Sequence, residues 1–248
     1  MDLEDVRRVV EGVPFMTYEQ AQKLTALMLE YGCSDVIELG IMHGVSTCYM
    51  AAALDGAGKD WSITTIDNET AISNSPNVED LLTQLGLRDR VTVHYEKSSY
   101  IWRLMKMLEE DPNPRFDFCY LDGAHNWPDD GFAFFLVDRL MKPGGWIVFD
   151  DIEWSYASSP SMRDTEMVRA MPPEEQTMQQ VRKIFDLLVK PHPSYGEFSV
   201  NDGWGFARKL PTAATGPSVV RREYVTKEVG LGSVVKQAYR KVKSLSKS

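Results

Sequence analysis

The chain reads as an α/β fold: a doubly wound, mostly parallel sheet with helices on both faces, preceded by N-terminal helices. Three observations predict it. Short apolar runs alternate with amphipathic stretches of helical spacing from residue 35 onward. The first apolar run ends in a glycine turn that opens directly into a helix, the order found at the carboxyl edge of parallel sheets. Near the end, two further runs flank Asn201-Asp202-Gly203, which suits a tight antiparallel turn.

The elements follow in order. Glu4 to Val10 reads as a helix, and a second runs from about Glu19 to Tyr31. Thr17-Tyr18-Glu19-Gln20 introduces the second as a capping box, with Thr17 accepting from the Gln20 amide while Gln20 reaches back, and Gly32 stops it. Strands are expected at Asp35–Leu39, Ser62–Ile66, Val91–Tyr95, Phe116–Leu121 and Trp146–Phe149. Helices are expected between them near Ser46–Leu54, Val78–Leu85, Tyr100–Glu109 and Asp130–Leu140. An irregular, Ser-containing stretch spans Trp154 to Met171, with the length and composition of a lid. Pro172-Pro173-Glu174-Glu175 then starts one helix to about Lys190, since proline fits a first turn and acids favour its positive end. Strands Tyr195–Val200 and Gly203–Arg208 would close the sheet as an antiparallel edge pair.

At 248 residues with 43% hydrophobic content, the chain can bury one full core. One domain over residues 1–210 is expected, followed at 211–248 by a basic tail. In that tail Val235, Ala238, Tyr239, Val242 and Leu245 recur at the spacing of a short amphipathic helix, but a solvated or disordered terminus is the favoured reading over a membrane- or partner-docking helix. The net charge of −9 gives no general attraction for nucleic acid or an anionic membrane. Neither a signal pattern after Met1-Asp2-Leu3-Glu4-Asp5 nor a spanning run is present, so a cytoplasmic protein with small-molecule partners is expected, its oligomeric state left open. Cys33, Cys48 and Cys119 lack any C-x-x-C spacing and read as buried, reduced thiols.

The first strand ends in Glu38-Leu39-Gly40-Ile41-Met42-His43-Gly44-Val45-Ser46-Thr47. A dinucleotide site wants G-x-G-x-x-G; here the spacing is G-x-x-x-G with Met at 42, which argues against NAD. Gly40 and Gly44 would let backbone amides approach a ligand. Asp67 ends the second strand, where a carboxylate can accept both ribose hydroxyls of an adenosine ligand. Glu96-Lys97-Ser98-Ser99 follows the third strand, placed to meet an adenine edge.

Glu38-Leu39-Gly40 with Gly44 and Ser46, then Asp67, then Leu121-Asp122-Gly123-Ala124-His125, then Lys142-Pro143-Gly144-Gly145 leading to Asp150-Asp151, resembles the class I S-adenosylmethionine-dependent methyltransferases. The resemblance covers about Glu19 to Arg208 and is strongest to the branch of catechol-type and metal-dependent sugar O-methyltransferases of natural-product pathways. It implies a Rossmann-like seven-stranded sheet in the order 3-2-1-4-5-7-6. It also implies that Glu38 and Gly40 face the methionine part of the cofactor, Gly44 and Ser46 line its pocket, Asp67 holds the ribose and Ser98 lies by the adenine.

Asp122 follows the fourth strand, and Asp150 and Asp151 follow the fifth, so three carboxylates can converge beside the cofactor. Hard oxygen ligands suit Mg²⁺ or Mn²⁺. Adjacent strand residues point to opposite faces, so Asp150 and Asp151 can share an ion only if the strand has already turned at Asp151. The resemblance implies this acid set as metal ligands, although many class I enzymes carry an acid at the Asp122 position near the cofactor amine without any metal. It also places His125 where the catechol branch has a lysine base and the sugar branch a histidine. An imidazole there can take a hydroxyl proton at neutral pH; the alternative is a histidine that only hydrogen-bonds its loop. His43 reads as a pocket wall, His94 as a strand residue and His192 as a surface residue, while Trp127, Trp154 and Tyr156 are candidates for an acceptor pocket. The expected function is therefore transfer of a methyl group to a small-molecule hydroxyl. A metal-independent methyltransferase and a non-catalytic S-adenosylmethionine binder are the alternatives.

Overall fold

A computed structural model describes residues 1–211. The tail expected at 211–248 lies outside the described residues from position 212 onward.

Two helices lead in: α1 (Leu3–Val9), capped by Asp2, and α2 (Tyr18–Glu30). The expected box forms at α2: the Gln20 amide donates to the Thr17 hydroxyl at 3.2 Å and the Thr17 amide to the Gln20 side chain at 2.9 Å. Strands and helices then alternate as β1 (Asp35–Leu39), α3 (Val45–Gly56), β2 (Ser62–Asn68), α4 (Val78–Leu85), β3 (Val91–Glu96), α5 (Tyr100–Glu110), β4 (Phe116–Leu121), α6 (Trp127–Leu140) and β5 (Met141–Phe149). The chain closes with α7 (Glu166–Ala170), α8 (Pro173–Thr177), α9 (Gln180–Ile184), β6 (Tyr195–Asn201) and β7 (Trp204–Lys209). The sheet order is β3-β2-β1-β4-β5-β7-β6, as the resemblance implies. The first five strands pair in parallel; β7 lies antiparallel between β5 and β6.

The central strands are covered on both faces, which is why they read as continuous apolar runs. One core packs α1 to α4 against the sheet through Leu24, Met28, Tyr49, Leu81 and Phe118. The other packs α5, α6 and α9 against it through Leu104, Phe134, Ile147, Phe149 and Ile184. No helix among the described residues is long and apolar enough to cross a membrane.

Three local expectations need correction. β5 begins at Met141 rather than Trp146, because Met141 pairs with Phe116 and a register shift between Phe116 and Phe118 absorbs the Pro143-Gly144-Gly145 irregularity. α6 begins at Trp127 rather than Asp130, since the Asn126 side chain caps it by accepting from the Asp129 amide at 2.8 Å. The single helix expected from Pro172 to Lys190 is broken at Met178 and Gln179, whose ψ values of 129° and 83° are not helical. The break has a tertiary cause: the Gln180 side-chain oxygen Oε1 accepts from the Trp127 amide at 2.7 Å, and the Gln179 side-chain Nε2 donates to the Glu153 carbonyl at 2.9 Å. An unbroken helix would withdraw one of these two neighbours, because consecutive residues diverge by about 100° around a helix. The segment Trp154 to Met171 is mostly irregular as expected, although its end forms α7.

Candidate active site

The carboxyl ends of β1, β2 and β4 converge tightly. The Gly40 amide donates to the Ile66 carbonyl, and the Asp122 amide to the Leu39 carbonyl, both at 2.9 Å. Gly40 has φ 93°, and a Cβ there would sit 1.7 Å from the Asp122 carbonyl oxygen. Gly44, φ 84°, caps α3, and its Cβ would lie 2.4 Å from Val78. Both glycines are therefore required by protein neighbours, whereas the sequence reading gave them to ligand approach.

Asp67 organises the loop between them. Its Oδ2 accepts from the amides of Ile41 at 2.7 Å and Met42 at 3.0 Å, and its Oδ1 from the Asn68 amide at 2.6 Å. Gly40, Asp67, Ser98 and Asp122 line a cavity of about 330 Å³, joined by Asp129, which sequence reasoning missed. The acids opening α6 read equally as ordinary first-turn residues, so position alone gave no signal for Asp129.

Glu38 lies elsewhere than expected. Its carboxylate is fully buried and accepts from the hydroxyls of Ser46, Thr47 and Thr65, so it sits beneath the glycine loop instead of lining a cavity. Burial raises its pKa to about 7, against the lowering effect of the three hydroxyls. Ser46 serves both sides: it holds Glu38 and lines a second cavity. Gly44 lines neither cavity.

That second cavity, about 480 Å³, shares Met42, Asp122 and Gly123 with the first. Asp150 continues the β5 pairing, its amide donating to the Leu121 carbonyl at 2.9 Å. Its carboxylate accepts from the Tyr120 hydroxyl and from the Asp151 amide at 2.6 Å. Burial and the charge of Asp122 push the Asp150 pKa up. At Asp151 the backbone turns left-handed, φ 51°, which meets the condition for adjacent acids to diverge from strand geometry. His125 is left-handed too, φ 55°, and its Nε2 lies 3.2 Å from Asp122 Oδ1 and 3.0 Å from Asp151 Oδ2. The three side chains offer ligand atoms that all lie within 4.8 Å of one another. Asp150 stands outside this group, and His125 takes the place the sequence reading gave it. Nε2 is buried and, although close to both carboxylates, has no aligned hydrogen bond. Burial lowers the His125 pKa, but the adjacent Asp122 and Asp151 carboxylates outweigh it and raise the value to about 10.

Beneath this loop lies a pair that the sequence did not announce. The Tyr100 hydroxyl donates to Asp130 Oδ1, and the Ala124 amide lies 3.1 Å from that hydroxyl and 3.2 Å from Oδ1. Asp130 is fully buried, and burial raises its pKa. The pair braces Asp122-Gly123-Ala124-His125 from below.

The aromatic candidates separate. The Trp154 ring lies 5.1 Å from His125, backed edge-on by buried Tyr156 at 4.9 Å. With Ser159, Pro160, Ser161 and Met162, Trp154 brings the expected lid segment onto the cavity. Trp127 lines neither cavity. His43 is a wall as expected, its Nδ1 2.6 Å from the Pro76 carbonyl and its ring stacked with Phe15 at 6.1 Å. Phe15 sits in the loop before α2, where no periodicity marked it. His94 is half-buried on β3, and His192 packs between Phe134 and Tyr195. A larger cavity, about 590 Å³, lies among Glu4, Arg7, Tyr18 and Tyr49, but no strand end reaches it.

Residues 37–152 match a family described as a methyltransferase domain. No curated protein sequence shows significant similarity. Among solved structures, an O-methyltransferase from Bacillus cereus in complex with SAH is similar at 20% identity and a TM-score of 0.59, over 84% of this chain and 90% of that one. The O-methyltransferase TomG from Streptomyces achromogenes, involved in tomaymycin synthesis and solved with SAM, is similar at 20% identity and a TM-score of 0.59, over 84% of this chain and 89% of that one. Those likenesses concern the fold, and the domain match falls on the strands and loops that carry Glu38, Gly40, Asp67, Asp122, His125, Asp150 and Asp151. Residues 37–152 thus carry a methyltransferase domain, and the strand order is that of the Rossmann-like methyltransferase fold.

Proposed function

We propose that the chain is a divalent-metal-assisted O-methyltransferase acting on a hydroxyl of a small molecule, a sugar or another natural product. The observation that carries this reading is the convergence of Asp122, His125 and Asp151 where the two cavities meet. In this reading the smaller cavity takes the adenosine half of the cofactor, with Asp67 at the ribose and Ser98 at the adenine. Gly40, Ser46 and Asp122 lie along its methionine half, and Glu38 acts from beneath by holding Ser46 and Thr47. The acceptor takes the larger cavity.

The donor set fits a metal. The carboxylates of Asp122 and Asp151 are hard oxygen donors of the kind that Mg²⁺ and Mn²⁺ accept. Asp122 and Asp151 would hold the ion. A bound divalent cation supplies Lewis acidity that lowers the pKa of a nearby acceptor hydroxyl. A cation held by Asp122 and Asp151 would offset the two carboxylate charges that raise the His125 pKa, and the imidazole, then neutral, would take the hydroxyl proton at Nε2. S-adenosylmethionine, when bound, would supply an activated sulfonium methyl to that oxygen and would leave as the thioether S-adenosylhomocysteine. Holding donor and acceptor at one junction supplies much of the rate, since the sulfonium is already activated.

Chelation tests it. EDTA should abolish turnover and leave cofactor binding by calorimetry largely intact, and Mn²⁺ or Mg²⁺ should restore the rate. Full activity in chelator would make the chain a metal-independent methyltransferase, with Asp122 facing the cofactor. Cofactor binding without turnover on a broad panel of hydroxyl acceptors would make it a non-catalytic binder.

A further inference from the structure

The loop that carries Asp122 and His125 is fixed at both ends. At one end the Asp122 amide donates to Leu39 on β1; at the other Asn126 caps α6. Between them the chain rests on Tyr100, which opens α5, and Asp130, in the first turn of α6. A Cβ at Gly123 would lie 2.5 Å from Asp130 Oδ1 and 2.6 Å from the Tyr100 hydroxyl oxygen, so the backbone sits on the pair with no room for a side chain. The Ala124 amide is held by the same two atoms, at 3.2 Å and 3.1 Å. His125 comes next, and its left-handed backbone persists only where the surroundings impose it.

The pair is costly where it stands. Asp130 shares one face of α6 with buried Ala133, Phe134 and Val137, so by helical spacing it occupies a core position, and it is fully buried. Its Oδ2 is buried without a partner among the described residues. A carboxylate in such a place is commonly less stable than an apolar side chain of similar volume. Breaks of this kind in a local pattern are expected where function demands them. Asp130 lines neither cavity, so contact with a ligand does not account for it.

We infer that Tyr100 and Asp130 are positioning residues for methyl transfer: they set the height of the loop and thereby aim His125 Nε2 at the point it shares with Asp122 and Asp151. This rests on the proposed role of His125 as proton acceptor. Both side chains act through the loop backbone, and a misplacement of about 1 Å at a reacting group can cost about 10²-fold in rate.

Histidine ring spectra test the placement without turnover. The full chain, isotope-labelled at its four histidines and saturated with S-adenosylhomocysteine, gives ring signals of which His125→Ala identifies one set by its loss. Tyr100→Phe and Asp130→Leu should each move the His125 signals and leave those of His43, His94 and His192 in place. Asp130→Asn keeps an oxygen that can accept from Tyr100 and Ala124, so its His125 signals should match the parent's. If Asp130→Leu fails to fold, Tyr100→Phe and Asp130→Asn decide. Tyr100 also borders the smaller cavity, so rates are read at saturating S-adenosylmethionine. On an acceptor that the parent methylates, the variants that move His125 should lose kcat ten-fold or more with acceptor KM held, and Asp130→Asn should keep the rate. Unmoved His125 signals in Tyr100→Phe, a shift of all four histidines together, an Asp130→Asn variant that displaces His125, or full turnover with His125 displaced would each overturn the inference. A parent that methylates no hydroxyl acceptor refutes the proposed function instead, and the ring spectra alone then decide whether the pair places His125.

Discussion

His125 Nε2 lies 3.0 Å from Asp151 Oδ2, and each of these residues holds a left-handed backbone, φ 55° and 51°, that turns its side chain off a neighbouring strand end into a common point. If that point is where the acceptor proton leaves, His125→Ala should lower kcat by about 10²–10⁴-fold with the chain folded and S-adenosylhomocysteine binding normal. Single-turnover rates with calorimetry on the same preparation check it. Lost thermal stability with near-normal turnover would instead make His125 a structural loop residue.

Asp67 holds the loop through the Ile41 and Met42 amides, and the proposed function gives it a second duty at the cofactor. Asp67→Ala should weaken cofactor binding by about 1.5–3 kcal/mol, from the lost charge-assisted contact to the ribose. It also strands the amides of Ile41 and Met42, so amide hydrogen exchange at those two positions should accelerate. Unchanged cofactor affinity would remove Asp67 from the ribose.

Glu38 makes stability depend on pH. Its pKa rises from an ordinary 4.5 to about 7 on folding, so the folded state favours the protonated form. That contribution is complete below the unfolded value and is lost as pH climbs through the folded one. Glu38→Gln cannot ionise, so its stability relative to the parent should increase between pH 4.5 and 7 and level off above, by roughly 3 kcal/mol for a shift of this size. Urea unfolding of both proteins across that range measures the difference; a difference constant with pH would mean that Glu38 is ionised throughout.

Gln180→Ala should cost about 1–2 kcal/mol, because the Trp127 amide at the start of α6 loses its acceptor. Cofactor affinity should hold. A variant as stable as the parent would show that the helix break at Met178 and Gln179 has another cause.

What the sequence made legible was local and periodic. Thr17 with Gln20, the α4 boundaries at Val78 and Leu85, and the Asp202-Gly203 turn each follow from a few adjacent residues, and the structure has all three. The strand order needed the family resemblance, because apolar runs do not say which neighbour they choose. What stayed hidden depends on distant partners. The break before Gln180 answers to Trp127, and the glycine at 40 answers to the Asp122 carbonyl. The separation of Asp150 from Asp151 turns on Tyr120, an apolar-run residue with no outward mark of its hydroxyl's destination. In the site, residue identity gave the chemistry, and tertiary contact decided which acid stands where.

Met42, His125 and Asp151 all border the larger cavity, and all three have positive φ without being glycine. Each such backbone costs about 1 kcal/mol or more relative to a relaxed one. The region therefore sets heat resistance against function. Selection for heat resistance alone, with no demand on methyl transfer, should drift first to glycine at positions 42, 125 and 151. The survivors of such an experiment would be robust proteins with an intact sheet and an emptied centre, and their altered positions would map the site without any substrate being known.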